Sequence, residues 1–194
     1  MSEGTNNRRP LKVRTNSLAQ GVAKFLSAKN ITPNQISVLS VLFAAIAATC
    51  LFNLPQSEGE LRVLLLIGVA VGIQCRLLCN LFDGMVAVEG GKGTASGELF
   101  NDVPDRIADP LILVAIGYSI DCTNYTHELG WAAALLAVMT AYIRTLAQSI
   151  GAPADFCGPM AKQHRMAFVT GLSLLSIFEA SFAKTGQVFF WGLV

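Results

Sequence analysis

Long apolar runs alternate with short polar stretches along this chain. Runs of about 20 apolar residues match the thickness of a bilayer, whereas a soluble core is built from shorter, amphipathic segments. The pattern predicts a first span over about Gln35–Leu54 and a second over about Leu61–Phe82, joined by a turn at Pro55–Glu60. A polar, Gly-rich loop then runs to Ser96. A third helix begins near Gly97 with an acidic first half and becomes apolar to Ile120. A loop over Asp121–Glu128 precedes a fourth span, about Leu129–Ile150, and a second polar loop over Gly151–Arg165 leads to a fifth, Met166–Phe182. Residues 186–194 read as the start of a sixth span, too short to cross, so the natural chain is expected to be longer. The expected fold is therefore all-α and polytopic, with about six transmembrane helices. Residues 31–194 form the membrane domain, with no internal repeat and no second domain.

Local chemistry sharpens the first span's entry. In Ile31-Thr-Pro-Asn-Gln-Ile36, Thr32 is a cap, Pro33 suits the first helical position, Gln35 completes a capping box and Ile31 staples to Ile36. Upstream, residues 1–30 form a basic arm. Leu11, Leu18, Val22, Phe25 and Leu26 fall on one face of a helix over 11–29, which predicts an amphipathic helix lying in the interface of an anionic leaflet.

Composition agrees with a membrane protein. The 194 residues are 53% hydrophobic and 14% charged, with a mean hydropathy of +0.51. Soluble domains carry about 25% charged residues. The net charge of +1 hides an asymmetry: Arg8, Arg9, Lys12, Arg14, Lys24 and Lys29 face a single acid, Glu3, in the first 29 residues. Too polar for a signal peptide, this basic start instead orients the chain. With Lys92, Lys162 and Arg165 in the two long loops, it predicts that the N-terminus and those loops lie on the cytoplasmic side of the inner membrane. The five cysteines lack framework or zinc spacing and read as buried or loop thiols, including Cys75 and Cys79 at i, i+4.

Ionisable groups at span ends are functional candidates. Asn80 and Asp83 share a face at the end of the second span, and Asn101 and Asp105 share one at the start of the third. An antiparallel pair of helices would bring the four together. Oxygen ligands without His or Cys suit Mg²⁺ or Mn²⁺, and metal beside Gly-rich backbone suggests phosphate chemistry. Helix-end acids satisfying dipoles and solvent are the plainer reading. It serves for Glu98 or Asp102 singly and poorly for a convergent set of four.

The spacing Asn80-x2-Asp83-Gly84-x2-Ala87-Val88-x8-Gly97-x3-Asn101-x3-Asp105 resembles the CDP-alcohol phosphotransferase signature, D-x2-D-G-x2-A-R-x8-G-x3-D-x3-D. The six-span plan and the Thr-Pro-Asn-Gln entry are also similar to that family. Asn80 and Asn101 replace two signature aspartates, and Val88 replaces the arginine. The resemblance implies a metal site of Mg²⁺ or Mn²⁺ at Asn80, Asp83, Asn101 and Asp105, with Asp102 a neighbour able to restore charge. It implies Asp105 as general base, and Gly84, Ala87 and Gly97 as the close approach for the nucleotide. Arg144, Lys162 and Arg165 would hold a phosphorylated or polar alcohol, although positive-inside anchoring is the competing reading for the last two.

The function this implies is transfer of a phosphatidyl group from CDP-diacylglycerol to a small alcohol with release of CMP, an enzyme of phospholipid synthesis. Its partners would be a CDP-alcohol, the acceptor, membrane lipids and a second copy in a homodimer, with no nucleic acid. The two Asn and one Val also suit a degenerate CDP-lipid-binding or scaffold protein. A metal or proton transporter is a third class, disfavoured by the signature spacing.

Overall fold

The computed structural model describes residues 16–89, 97–121, 123–152, 162–181 and 185–194, most of them helical. Among the described residues seven α-helices follow in order: α1 (Ser17–Ala28), α2 (Pro33–Phe52), α3 (Gly59–Glu89), α4 (Gly97–Tyr118), α5 (Thr126–Ser149), α6 (Lys162–Leu175) and α7 (Gln187–Leu193). Short 3₁₀ segments at Leu54–Gln56 and Ser176–Ser181 extend α2 and α6.

Three helices among the described residues are long and apolar enough to cross a membrane: α2 with its 3₁₀ extension, α3 and α5. The third and fifth expected spans are present as helices but differ in kind. The first half of α4 carries Asp102, Asp105, Arg106 and Asp109 among its apolar residues. α6 has only 14 residues before it tightens into the 3₁₀ turn.

The entry to α2 follows from local chemistry. Gln35 N–H donates to Thr32 Oγ1 over 3.3 Å and Thr32 N–H donates back to Gln35 Oε1 over 3.0 Å, with Pro33 in the first turn. This reciprocal box satisfies two of the amides that a helix start leaves open. Ile31 packs against the cluster that contains the buried Ile36.

The second span departs most from expectation. α3 does not end at Phe82 but runs to Glu89, so Asp83 and Gly84 are helical. Its 31 residues are about 46 Å long at about 1.5 Å per residue, more than the roughly 30 Å hydrocarbon layer. A helix of that length either tilts in the layer or extends beyond it.

Small residues set the packing. α2 lays Ala44, Ala47, Ala48 and Leu51 into a core completed by Leu66, Val69 and Ile73 of α3 and by Ala108, Ile112 and Ile116 of α4. A Cβ on Gly72 would lie 3.0 Å from both Ala47 Cβ and Phe43 O, so α2 and α3 pack at backbone distance there. Close approach through small side chains is how helices associate in lipid, where apolar burial alone supplies little drive. α4 sits between α2 and α5, and α6 packs on α3. α3 and α4 themselves make little backbone contact, and long polar side chains bridge them.

α1 rests on α3 through the buried Ala19 and Ala23, with Leu26 packed beside them. Leu18 and Phe25 are 77% and 61% exposed. At the far end of α3, Arg62 Nη2 meets the buried Glu179 at 3.3 Å. Glu179 also accepts the backbone N–H groups of Gly186 and Val188 at 2.9 and 2.7 Å, tying the start of α7 to the end of α6. Gly186 has φ +90°, a left-handed backbone that glycine adopts without strain.

Candidate functional site

Arg76, Asn80 and Asp83 form one stripe on α3, at i, i+4 and i+7. Asp102, Asp105 and Asp109 form another on α4, at i, i+3 and i+7. These spacings place each set on one helix face, and the two faces meet. Arg76 Nη2 donates to Asp105 Oδ1 over 3.0 Å, and Asn80 Nδ2 donates to the same oxygen over 2.9 Å. Arg76 Nη2 also lies 2.5 Å from Asp109 Oδ1, a charge contact without hydrogen-bond alignment, since that oxygen has no hydrogen-bond partner among the described residues. From α6, Arg165 Nη2 donates to Asp109 Oδ2.

Burial makes this arrangement selective. Arg76 is 0% exposed, and Asp105 and Asp109 are 8% and 4% exposed. Lone charges in such surroundings would be strongly disfavoured, and mutual pairing is what permits them. Two arginines face two aspartates, so the formal charges of these four balance.

Asp83 is engaged differently. Its Oδ2 accepts from Ser37 Oγ of α2 over 2.7 Å, and its Oδ1 lies 2.5 Å from the N–H of Gly84. Satisfaction from a neighbouring helix explains how a buried carboxylate and a glycine continue α3 where their composition suggests a loop.

A small open cavity of about 50 Å³ lies between α4, α5 and α6. Its charged lining is Asp102, Asp105 and Asp109 with Arg106, Arg144 and Arg165. Arg106 is partly committed within α4, to Asp102 at 3.1 Å, and reaches Thr145 of α5 at 3.5 Å. The cavity exceeds what a single water needs, about 10–15 Å³ by the same kind of measure, and has room for a small oxyanion. Arginine forks beside carboxylates suit a ligand that carries both phosphate and hydroxyl groups.

Asn80 and Asp105 are thus brought together, as are Asp105, Asp102, Arg144 and Arg165 around the cavity. Gly84 and Ala87 lie within α3, and Gly97 opens α4. The side chains of Asn101, Lys162, Glu98 and Glu89 lie outside the described residues, as do Leu11, the 90–96 segment with Lys92, Cys122 and Cys157. His164 is exposed, and His127 stacks on Tyr118 with ring centroids 4.1 Å apart.

Arg76 was not foreseen from the sequence. Its signal is plain in retrospect: an arginine in the middle of an apolar run demands a partner inside the fold. Ser37 carries no comparable signal, since a lone serine in an apolar helix usually bonds its own backbone.

The expected Mg²⁺ or Mn²⁺ site fits the described residues poorly. Among the described residues no three of His, Cys, Asp or Glu are grouped to hold a metal ion. Asp105 Oδ1 already receives donors from Arg76 and Asn80, Asp83 receives donors from Ser37 and Gly84, and Asp102 is paired with Arg106. No family model matches the chain, and no curated protein matches it.

Proposed function

We propose that this chain is a polytopic membrane protein of the CDP-alcohol phosphotransferase type. In this reading α4 and α6 cross the bilayer beside α2, α3 and α5, the chain works as a homodimer, and α1 lies in the leaflet interface. The basic N-terminus and the cavity face the cytoplasm of the cell's inner membrane. Its reaction is transfer of a phosphatidyl group from CDP-diacylglycerol to a small polar or phosphorylated alcohol, with release of CMP.

The observation that carries the reading is the cavity in which Asp105, in its signature position, shares a lining with Arg144 and Arg165. Each group has a defined part. Arg144 and Arg165 draw a phosphate-bearing acceptor to the cavity and orient it. Asp105 accepts the hydroxyl proton as the acceptor oxygen bonds to phosphorus and CMP leaves with the electrons of the broken phosphoanhydride bond. Asn80 and Arg76 hold the Asp105 carboxylate in place through Oδ1.

A second reading has its own support. The same two donors give Asp105 the surroundings of a structural carboxylate, which favours a CDP-lipid-binding protein without turnover. The purified full chain in lipid nanodiscs, given CDP-diacylglycerol with glycerol 3-phosphate, inositol phosphate or serine, separates them. Acceptor-dependent CMP release that Asp105→Asn abolishes supports the transferase. Saturable CDP-diacylglycerol binding without CMP release supports the binding protein. Absence of both rejects the family reading.

A further inference from the structure

We infer that the guanidinium of Arg76 is the resident cation of this site, standing where Asp105 and Asp109 would otherwise recruit a divalent metal, so that ligands enter the adjoining cavity without one. The inference rests on the proposed reading of that cavity as the ligand site.

Charge is the first argument. Asp105 and Asp109 are the buried carboxylates facing α3 and α6, and Arg76 and Arg165 already neutralise them. A divalent ion placed against Asp105 would add two positive charges a few ångströms from a buried guanidinium that cannot lose its proton. In such surroundings that repulsion is weakly screened.

Ligand chemistry is the second. Asn80 could offer a metal its carbonyl oxygen, but it turns its amide nitrogen to Asp105 Oδ1. With no ion between them that orientation is the favourable one, because an amide oxygen would repel the carboxylate. Arg76 presents only donors, and its Nε and Nη1 have no hydrogen-bond partner among the described residues. Toward Asp105, α3 therefore presents N–H groups, and they occupy the carboxylate oxygen Oδ1 that a metal ion would use.

Geometry is the third. Arg76 is fully buried in the middle of α3, whose backbone makes little contact with α4, and its reach to Asp105 and Asp109 spans the gap between them. Arg76 is not part of the cavity lining. It acts through the two aspartates and is a positioning residue.

The test measures Mn²⁺ directly. Purified full chain in nanodiscs is titrated with Mn²⁺ and followed by electron paramagnetic resonance, as wild type, Asp105→Asn, Arg76→Lys, Arg76→Gln and Arg76→Gln with Asp105→Asn. Wild type, Asp105→Asn and Arg76→Lys should give the same signal, with no saturable site that depends on Asp105. Arg76→Gln should gain a saturable Mn²⁺ site about tenfold or more tighter than the background binding of wild type, on the scale that neighbours of metal ligands change affinity, and the added Asp105→Asn should remove the gain. CDP-diacylglycerol binding by wild type should be the same in EDTA and in Mn²⁺.

A saturable wild-type Mn²⁺ site lost in Asp105→Asn would overturn the inference, as would a folded Arg76→Gln with no gain. Should Arg76→Gln not fold, the comparison of wild type with Asp105→Asn still decides. Failure to bind CDP-diacylglycerol under every condition would instead count against the proposed function and leave the Mn²⁺ result standing.

Discussion

Asn80 of α3 donates from Nδ2 to Oδ1 of Asp105 on α4 over 2.9 Å. An aspartate at this position would set two carboxylates against each other where an amide now links two helices. Asn80→Asp should therefore lower the thermal unfolding midpoint in EDTA, with a cost of about 1–3 kcal/mol for the lost donor and the unpaired acceptor. The added charge should also create affinity for a divalent ion, so Mn²⁺ should recover much of the loss. Equal midpoints for variant and wild type in EDTA would show that the bond contributes nothing.

Ser37 holds Asp83 across α2 and α3. A hydrogen bond to a charged group is worth about 1.5–3 kcal/mol, so Ser37→Ala should destabilise the protein by that order. Ser37→Thr keeps the hydroxyl and should recover most of it. Chemical denaturation in detergent micelles measures both. A silent Ser37→Ala would mean that Asp83 draws its stability from other contacts.

The approach of α4 and α5 depends on Gly117 and Gly130. A Cβ on Gly130 would lie 2.9 Å from Gly117 Cα and 3.0 Å from Leu113 O, both backbone atoms that cannot yield without moving a helix. Gly130→Ala should destabilise by about 1–3 kcal/mol, the usual range for overpacking, and widen the cavity shared by these helices. Gly171→Ala is the control. Nothing lies within 4 Å of its added Cβ, and alanine has the better helix propensity. Thermal stability should therefore separate the two alanine variants in opposite directions.

Glu179 anchors the end of the bundle away from the cavity. Its loss in Glu179→Ala would leave Arg62 partly buried without its anion and two backbone N–H groups without their acceptor. Breaking a buried pair from one side costs about 3–5 kcal/mol. Hydrogen exchange should show α7 opening first, while, under the proposed reading, CDP-diacylglycerol binding at the other end persists in the molecules that remain folded. Unchanged protection of 186–194 would refute this anchoring role.

Arg144 lines the cavity from α5. Under the transferase reading, Arg144→Gln should raise the acceptor KM about tenfold or more, the scale of one charge-assisted contact, with kcat much less affected. An equal fall in kcat and kcat/KM would instead give Arg144 a role confined to the transition state.

Interactions that close within a few residues were legible in the sequence, because the chain itself fixes their geometry. The Thr32–Gln35 box spans three residues and forms as written. The apolar runs of α2, α3 and α5 announce by composition alone that these helices are long and apolar enough to cross a membrane. Helical spacing also placed Asn80 and Asp105 on faces able to meet.

Tertiary structure decided the rest, because the deciding partners are distant in sequence. Asp83 and Gly84 read as the start of a loop, and α3 continues through them with Ser37, 46 residues upstream, as a donor to the carboxylate. The amphipathic pattern of α1 showed its large apolar face but not that Ala19 and Ala23 would seat it on α3, since close packing favours the small face. The balance at Asp105 turned on Arg76, 29 residues away. A carboxylate's chemistry depends on the charges packed around it, and those are set when the helices assemble.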